Sequence, residues 1–140
     1  MKSQIVADSS ALFSLLIEND TNHHLATKVG GRLVFHTGIL IIPAEIFAET
    51  INILGKKTGK KNAIVVGQKL MENNLFTIIE STNEIRSKAF EKFKRQPESV
   101  SFTDCLVMAF ADEFKTEFIF GFDETFKKNG YIRVGIDDTA

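Results

Sequence analysis

The chain has 140 residues, of which 44% are hydrophobic and 25% charged, and its formal net charge is −1. The near-neutral charge argues against a large surface that binds nucleic acid by bulk electrostatics. The lone Cys105 excludes an internal disulfide. No stretch is apolar and long enough for a signal peptide or a membrane span. We therefore expect one domain over residues 1–140 in a soluble, cytoplasmic protein.

Short apolar runs alternate with stretches of helical spacing along the whole chain. The apolar runs predict strands at 4–7, 39–42, 75–79, 117–120 and 131–134, and the run at 39–42 has the unbroken apolar character of a strand buried on both faces. Helical spacing predicts helices at 11–17, 23–33, 44–54, 60–73, 81–94, 101–113 and 124–128. The alternation predicts an α/β fold, a three-layer α/β/α sandwich with a central parallel sheet.

Capping residues support several of these helix starts. Asp8-Ser9-Ser10 follows the first strand, and Pro43 stands where the helix after the second strand begins. The segments 81–84 and 101–104 both have the form of a capping box. Gly55 is expected to end the helix that begins at 44.

Four acidic residues follow strands or begin helices, and only a fold could bring them together. Asp8, Glu49, Asp104 and Asp123 are separated by 41, 55 and 19 positions. Each has an ordinary structural explanation: Asp8 and Asp123 suit helix N-caps, Asp104 suits a capping box, and Glu49 suits a solvated helix face. In a parallel sheet, however, all four fall near the carboxyl ends of the strands, where sites form.

Carboxylates gathered at one edge of a sheet repel, so they must take up protons or hold cations. Oxygen ligands without paired cysteine or histidine suit Mg²⁺ or Mn²⁺ better than zinc. Such an ion can activate water and stabilise the charge on a phosphoryl group. His23, His24 and His36 show no zinc-ligand pattern, and a buried apolar thiol is the expected state of Cys105.

The ordered set of acidic motifs resembles the PIN-domain family, in particular VapC-type toxin ribonucleases. The similar segments are IVADSSAL at 5–12, AETINIL at 48–54, SFTDCL at 101–106 and FDETF at 122–126, with Cys105 where alanine is usual. The resemblance implies a metal-dependent endoribonuclease that uses Mg²⁺ or Mn²⁺. It assigns metal binding and catalysis to Asp8, Glu49, Asp104 and Asp123.

The same resemblance implies supporting residues and partners. Ser10 would contact Asp8 or a metal-bound water, and Thr103 would support the acids, although a plain helix-start role stays open for both. A homodimer and an antitoxin partner are expected, with the apolar residues Leu12, Phe13, Leu16 and Phe47 contributing to those surfaces. A PIN-like module that binds RNA or a partner without cutting remains the alternative function.

A lysine-rich segment and a pair of glutamates are two further features of the sequence. The glycines of the segment 55–61 are one residue too close for a P-loop, so its lysines belong to a solvated turn or contact the RNA backbone; they are Lys56, Lys57, Lys60 and Lys61. Glu45 and Glu49 share one helical face. Glu49 matches the family motif, whereas Glu45 lies in the first turn, where the helix dipole favours an acid and a capping or outer role is expected.

Overall fold

A computed structural model describes residues 4–17, 23, 27 and 39–138. The helix predicted at 23–33 therefore lies outside the described residues except at positions 23 and 27, as do His24 and His36. None of the described helices is long and apolar enough to cross a bilayer.

The described strands form one parallel sheet in the order β3-β2-β1-β4-β5, which confirms the predicted fold class. β1 lies at the centre, with β2 on one side and β4 on the other. The strand order therefore runs outward from β1 in both directions, and such a switch point leaves a crevice at the carboxyl ends of β1 and β4. The strands are β1 (Gln4–Ala7), β2 (Ile39–Pro43), β3 (Phe76–Ile79), β4 (Phe118–Phe120) and β5 (Ile132–Arg133).

Helices cover both faces of the sheet. Because crossovers between parallel strands are right-handed, the helices before β3 share one face and the later ones share the other. The helices are α1 (Ser9–Leu16), α2 (Ala44–Thr58), α3 (Lys60–Glu72), α4 (Asn83–Arg95), α5 (Phe102–Glu113) and α6 (Glu124–Lys128). Contacts agree with this division, since α1 and α3 both pack on α2, whereas α4 and α6 both pack on α5.

Helix α5 is the central helix of its layer. Every residue from Cys105 to Ala111 is buried, because one side of the helix packs on β1 and β4 while the other packs on α4. A helix that is apolar on all sides is typical of this position. The start of α5, which carries Asp104, is thereby fixed relative to β1.

Some sequence-based expectations were wrong in detail. Helix α2 runs through Gly55 to Thr58, and the backbone turns at Gly59, whose φ of 95° suits glycine. Helix α4 is capped by Thr82, whose side chain accepts from the Ile85 amide, so the capping box predicted at 81–84 does not form. The start of α2 is as predicted: Pro43 ends β2 and is also the N-cap of this helix, which begins at Ala44.

The surface expected at α1 is also corrected. Leu12 and Phe13 are buried within the monomer, at 0% and 7% exposure, because α1 packs between the sheet and α2. Leu16 and Phe47 are partly buried against the same core. Leu12 and Phe13 therefore stabilise the monomer and do not supply an open docking surface, whereas a partner contact by Leu16 and Phe47 stays a prediction.

Gly121, directly after β4, allows this strand end to approach β1 closely. A Cβ atom built on Gly121 would lie 2.6 Å from Cε2 of Phe126 and 3.1 Å from Cβ of Asp8. The Phe126 ring is fully buried and has little room to move. Glycine at this position is therefore required by the space between α6 and the residue that ends β1.

We predict that Gly121→Ala lowers the free energy of unfolding by about 1–3 kcal/mol, because the added methyl overpacks a buried contact. Gly55→Ala is the matched control: a Cβ there meets nothing within 4 Å, and alanine inside a helix is expected to add about 0.5–1 kcal/mol. Urea unfolding measures both, and equal stability of the two variants would contradict the packing argument.

Candidate active site

Asp8 stands at the crevice between β1 and β4. Its backbone N–H donates to the Phe120 carbonyl at 2.9 Å, which extends the pairing of the two strands by one residue. The side chain is buried, with 6% of the residue exposed, and Oδ2 accepts a hydrogen bond from Ser10 Oγ at 2.9 Å. Asp8 occupies the N-cap position of α1 but makes no side-chain cap, so its carboxylate is directed elsewhere.

Burial and neighbouring acids raise the pKa of Asp8 to about 6. Desolvation is the largest cause, and the charges of Asp104 and Glu49 add to it, while the Ser10 hydrogen bond opposes them. The electrostatic interaction places Asp8 within reach of two acids that lie 41 and 96 positions away in the sequence. These interactions bring Asp8, Glu49 and Asp104 near one another, and their role as metal ligands stays a prediction.

Asp104 is fixed by the predicted capping box at the start of α5. Its backbone N–H donates to Ser101 Oγ at 3.1 Å, and its Oδ2 accepts from the Ser101 amide at 3.2 Å. Desolvation raises the pKa of Asp104, and the charge of Asp123 raises it further, against the lowering effect of the Ser101 hydrogen bonds. The capping role and a place in the acidic group therefore coexist in one side chain.

Asp123 lies at the exposed rim of the group, in the loop between β4 and α6. Its Oδ1 accepts from the Thr125 amide at 2.8 Å and caps α6. Arg133, which the sequence analysis did not consider, holds this loop: Nη1 donates to the Phe122 carbonyl at 2.9 Å, and the rest of the guanidinium pairs with Asp137. The spacing of four residues between Arg133 and Asp137 was the one available sequence signal.

Glu49 and Glu45 lie one turn apart on α2, and both have a buried oxygen without a hydrogen-bond partner: Oε2 of Glu49 and Oε1 of Glu45. The other oxygen of Glu45 accepts from the Ser81 hydroxyl, in the loop after β3. Glu45 lies in the first turn of α2, as predicted, and the Ser81 hydrogen bond also ties it to the loop after β3. Unpaired buried carboxylate oxygens are costly and call for a cation or a proton.

The carboxylates lie close enough to interact but are not closed around one point. Among the residues that the structure describes, no three His, Cys, Asp or Glu side chains stand in a ready arrangement for one metal ion. Mutual repulsion separates unneutralised carboxylates, and oxygen-only donors with unpaired buried atoms are the chemistry that a hard divalent cation requires. The residues fit such an ion, given side-chain rotation toward it.

The family model of the PIN domain matches residues 5–130. The chain belongs to the PIN domain family. The match begins in β1, just before Asp8, and extends past Asp123, so it includes all four predicted acids. PIN domains are generally nucleases that use divalent metal.

The PIN fold is also evident from a solved structure. Mycobacterium tuberculosis VapC20, described as a Sarcin-Ricin loop cleaving toxin, superposes with a TM-score of 0.80 at 21% sequence identity, covering 93% of this chain and 98% of that one. At this identity the likeness establishes a shared fold. No curated protein matches the chain.

The smaller predicted roles within this PIN domain have mixed outcomes. Ser10 contacts Asp8, as expected. The Thr103 hydroxyl lies 3.0 Å from Ser101 Oγ, so its contact is with the cap of α5 and not with a carboxylate. Cys105 is fully buried, and burial raises the pKa of its thiol, in agreement with an apolar packing role. His23 is half-buried, and its Nδ1 lies 2.7 Å from the Ser14 carbonyl oxygen.

The four lysines of the segment 55–61 are exposed, but they lie on helices and not in a loop. Lys56 and Lys57 belong to the last turn of α2, and Lys60 and Lys61 to the first turn of α3. Nζ of Lys57 is 5.1 Å from the centroid of the Phe13 ring, a cation–π contact. An RNA-binding role for these lysines stays a prediction.

The raised pKa of Asp8 predicts that the metal-free protein loses stability as the pH rises. A folded-state pKa of about 6 against 3.8 in the unfolded chain means that the folded state binds the proton more tightly. The stabilisation is complete below pH 4 and is lost as the pH rises through 6, with a full loss of about 3 kcal/mol. Urea unfolding in metal-free buffer should show about half of this loss between pH 5 and pH 7.5.

Asp8→Asn should remove this part of the pH dependence and make the metal-free protein more stable than wild type at pH 7.5, because a neutral amide replaces a buried anion. An unchanged pH profile in Asp8→Asn would contradict the assignment to Asp8.

Proposed function

We propose that this PIN domain is a metal-dependent endoribonuclease that hydrolyses RNA phosphodiester bonds, and that it acts as the toxin of a toxin–antitoxin pair. The observation that carries the proposal is the buried Asp8 carboxylate, placed at the crevice of a parallel sheet and electrostatically coupled to Asp104 and Glu49. An acid with a purely structural role is not expected at this position, because burial and neighbouring like charges both destabilise its charged form.

Asp8, Glu49, Asp104 and Asp123 would hold Mg²⁺ or Mn²⁺. When bound, the ion supplies activation of water and stabilisation of phosphoryl charge. The protein residues supply the positions: the β1–β4 pairing holds Asp8, the capping box holds Asp104, and Arg133 holds the loop that carries Asp123. Ser10 orients the Asp8 carboxylate by donating to Oδ2.

RNA is the proposed substrate because the solved relative VapC20 is described as cleaving the Sarcin-Ricin loop, an RNA target. The near-neutral net charge is compatible with a small site in which metal ions, and not a broad basic surface, neutralise the phosphate. A homodimer and an antitoxin partner are proposed on the same family resemblance. The apolar residues Ile64 and Val65, which α3 exposes, are better placed for such contacts than the buried ones of α1.

The test is cleavage of purified RNAs, including a Sarcin-Ricin loop hairpin and an unstructured oligonucleotide, with Mg²⁺, Mn²⁺ or EDTA. We predict cleavage that requires the divalent ion and that Asp8→Asn or Asp104→Asn abolishes, because each substitution removes one ligand charge and preserves side-chain shape. Glu72→Gln, at an exposed acid that ends α3, is the matched control and should cleave like wild type.

Wild-type cleavage rates in Asp8→Asn and Asp104→Asn, at matched purity and fold, would contradict the proposed metal site. An RNA-binding wild type that cleaves none of the substrates with either ion would favour the alternative of a silent binding module.

The same assay distinguishes the roles of the two glutamates of α2. We predict that Glu49→Gln lowers cleavage by orders of magnitude, because Glu49 is the one that interacts with Asp8. Glu45→Gln keeps an oxygen that can accept from Ser81 and should leave cleavage largely intact, with a stability change on the order of 0.5 kcal/mol. An inactive Glu45→Gln beside an active Glu49→Gln would reverse the assignment.

A further inference from the structure

Three phenylalanine rings form an exposed cluster where α4 meets the start of α5. Phe90 and Phe93 of α4 are 52% and 40% exposed, and Phe102 is the first residue of α5. The ring centroids lie 6.3 Å apart for Phe90–Phe93, 6.4 Å for Phe90–Phe102 and 5.9 Å for Phe93–Phe102. We call this the phenylalanine surface.

Exposure of two large aromatic rings side by side is costly and needs a reason. A single exposed apolar side chain is normal in a soluble protein, whereas a contiguous apolar patch marks an interaction site. The core does not need the two rings of α4, because Ile85 and Ala89 are the residues by which α4 is buried, whereas Phe102 is partly buried and packs against the core. The patch is therefore available to a ligand or a partner.

The position of the phenylalanine surface connects it with the candidate site. Phe102 precedes Asp104 by two residues in the first turn of α5, and the capping box at Ser101 fixes that turn. A molecule that contacts the three rings therefore lies beside the helix end that carries Asp104.

One cation lies directly over the phenylalanine surface. Nζ of Lys94 is 5.4 Å from the Phe90 ring centroid. It also lies 3.1 Å from Glu91, in an ion pair that is more than half exposed and hence weak. Lys92 and Arg95 lie on another side of α4, where both border a pocket with Asp112, so Lys94 is the cation available beside the rings.

We infer that the phenylalanine surface binds an unpaired base of the RNA substrate, with Lys94 near the adjoining phosphate. Aromatic side chains next to a cation are a usual means of holding single-stranded nucleic acid, since every base offers a face for stacking. The inference rests on the proposed function and specifies the form of its substrate, RNA with at least one unpaired nucleotide.

The test measures binding separately from cleavage. A short unpaired RNA that carries 2-aminopurine reports stacking through its fluorescence, and the Asp8→Asn background keeps the RNA uncut. Phe90→Ala and Phe93→Ala are each expected to raise Kd by about fivefold to a hundredfold, as loss of one base–aromatic stack would. Met71→Ala, which removes an exposed apolar side chain of α3 on the other face of the sheet, is the control and should leave Kd unchanged.

Two conservative variants separate stacking from general apolarity. Phe90→Tyr keeps an aromatic face and should bind like the parent, whereas Phe90→Leu keeps apolar area without one and should bind like Phe90→Ala. Duplex RNA should be insensitive to all of these changes. In the wild-type background, the same alanine variants should raise KM for unpaired RNA and leave kcat nearly unchanged.

The outcomes distinguish this inference from the proposed function. Metal-dependent cleavage with equal Kd for Phe90→Ala and Met71→Ala would overturn the stacking role and leave the nuclease. Aromatic-dependent binding without cleavage would support the surface and overturn the nuclease. A dimer that dissociates in Phe90→Ala, with RNA affinity unchanged, would assign the patch to a second copy and also overturn the inference.

Discussion

The repulsion among carboxylates around buried Asp8 is the constraint on which the rest of this structure depends. A charged side chain at 6% exposure loses most of its hydration, and the charges of Asp104 and Glu49 add to the cost. The sheet imposes this arrangement, because β1 is central and the Asp8 amide is tied to Phe120 of β4. A proton or a cation relieves this repulsion. The same geometry can therefore account both for greater stability of the metal-free protein at low pH and for metal binding.

Several contacts away from the acids keep them in place. Gly121 lets the end of β4 lie against Asp8, Arg133 fixes the carbonyl that precedes Asp123, and the link from Ser81 to Glu45 joins the loop after β3 to the start of α2. Each lies at the carboxyl edge of the sheet, where loops would otherwise be free to separate repelling charges. These contacts fix the loops at this edge, but they leave one buried carboxylate oxygen of Glu45 and one of Glu49 without a hydrogen-bond partner.

The sequence predicts the parts of this arrangement that depend on local chemistry. The apolar run at 39–42 and the capping box at Ser101 are local signals, and both are present. The burial of Leu12 and Phe13 was not predictable, because α1 is apolar on most sides and only its packing against α2 decides which residues are covered. Thr82 caps α4 in place of Ser81, since two adjacent hydroxyl residues offer the same local signal and the tertiary bond to Glu45 uses one of them.

The proposed role of the acids is to bind divalent metal together, and the most direct test is the melting temperature of the metal-free protein titrated with Mn²⁺. Binding to the folded state alone stabilises it by mass action, by about 2.7 kcal/mol at a hundredfold excess over Kd. We expect Mn²⁺ to raise the melting temperature of wild type clearly. Glu49→Gln, Asp104→Asn and the double variant should lose nearly the same part of this rise, because the effects of substitutions at ligands that share a metal site are not additive. A melting temperature that ignores Mn²⁺, or losses that simply add, would contradict the account.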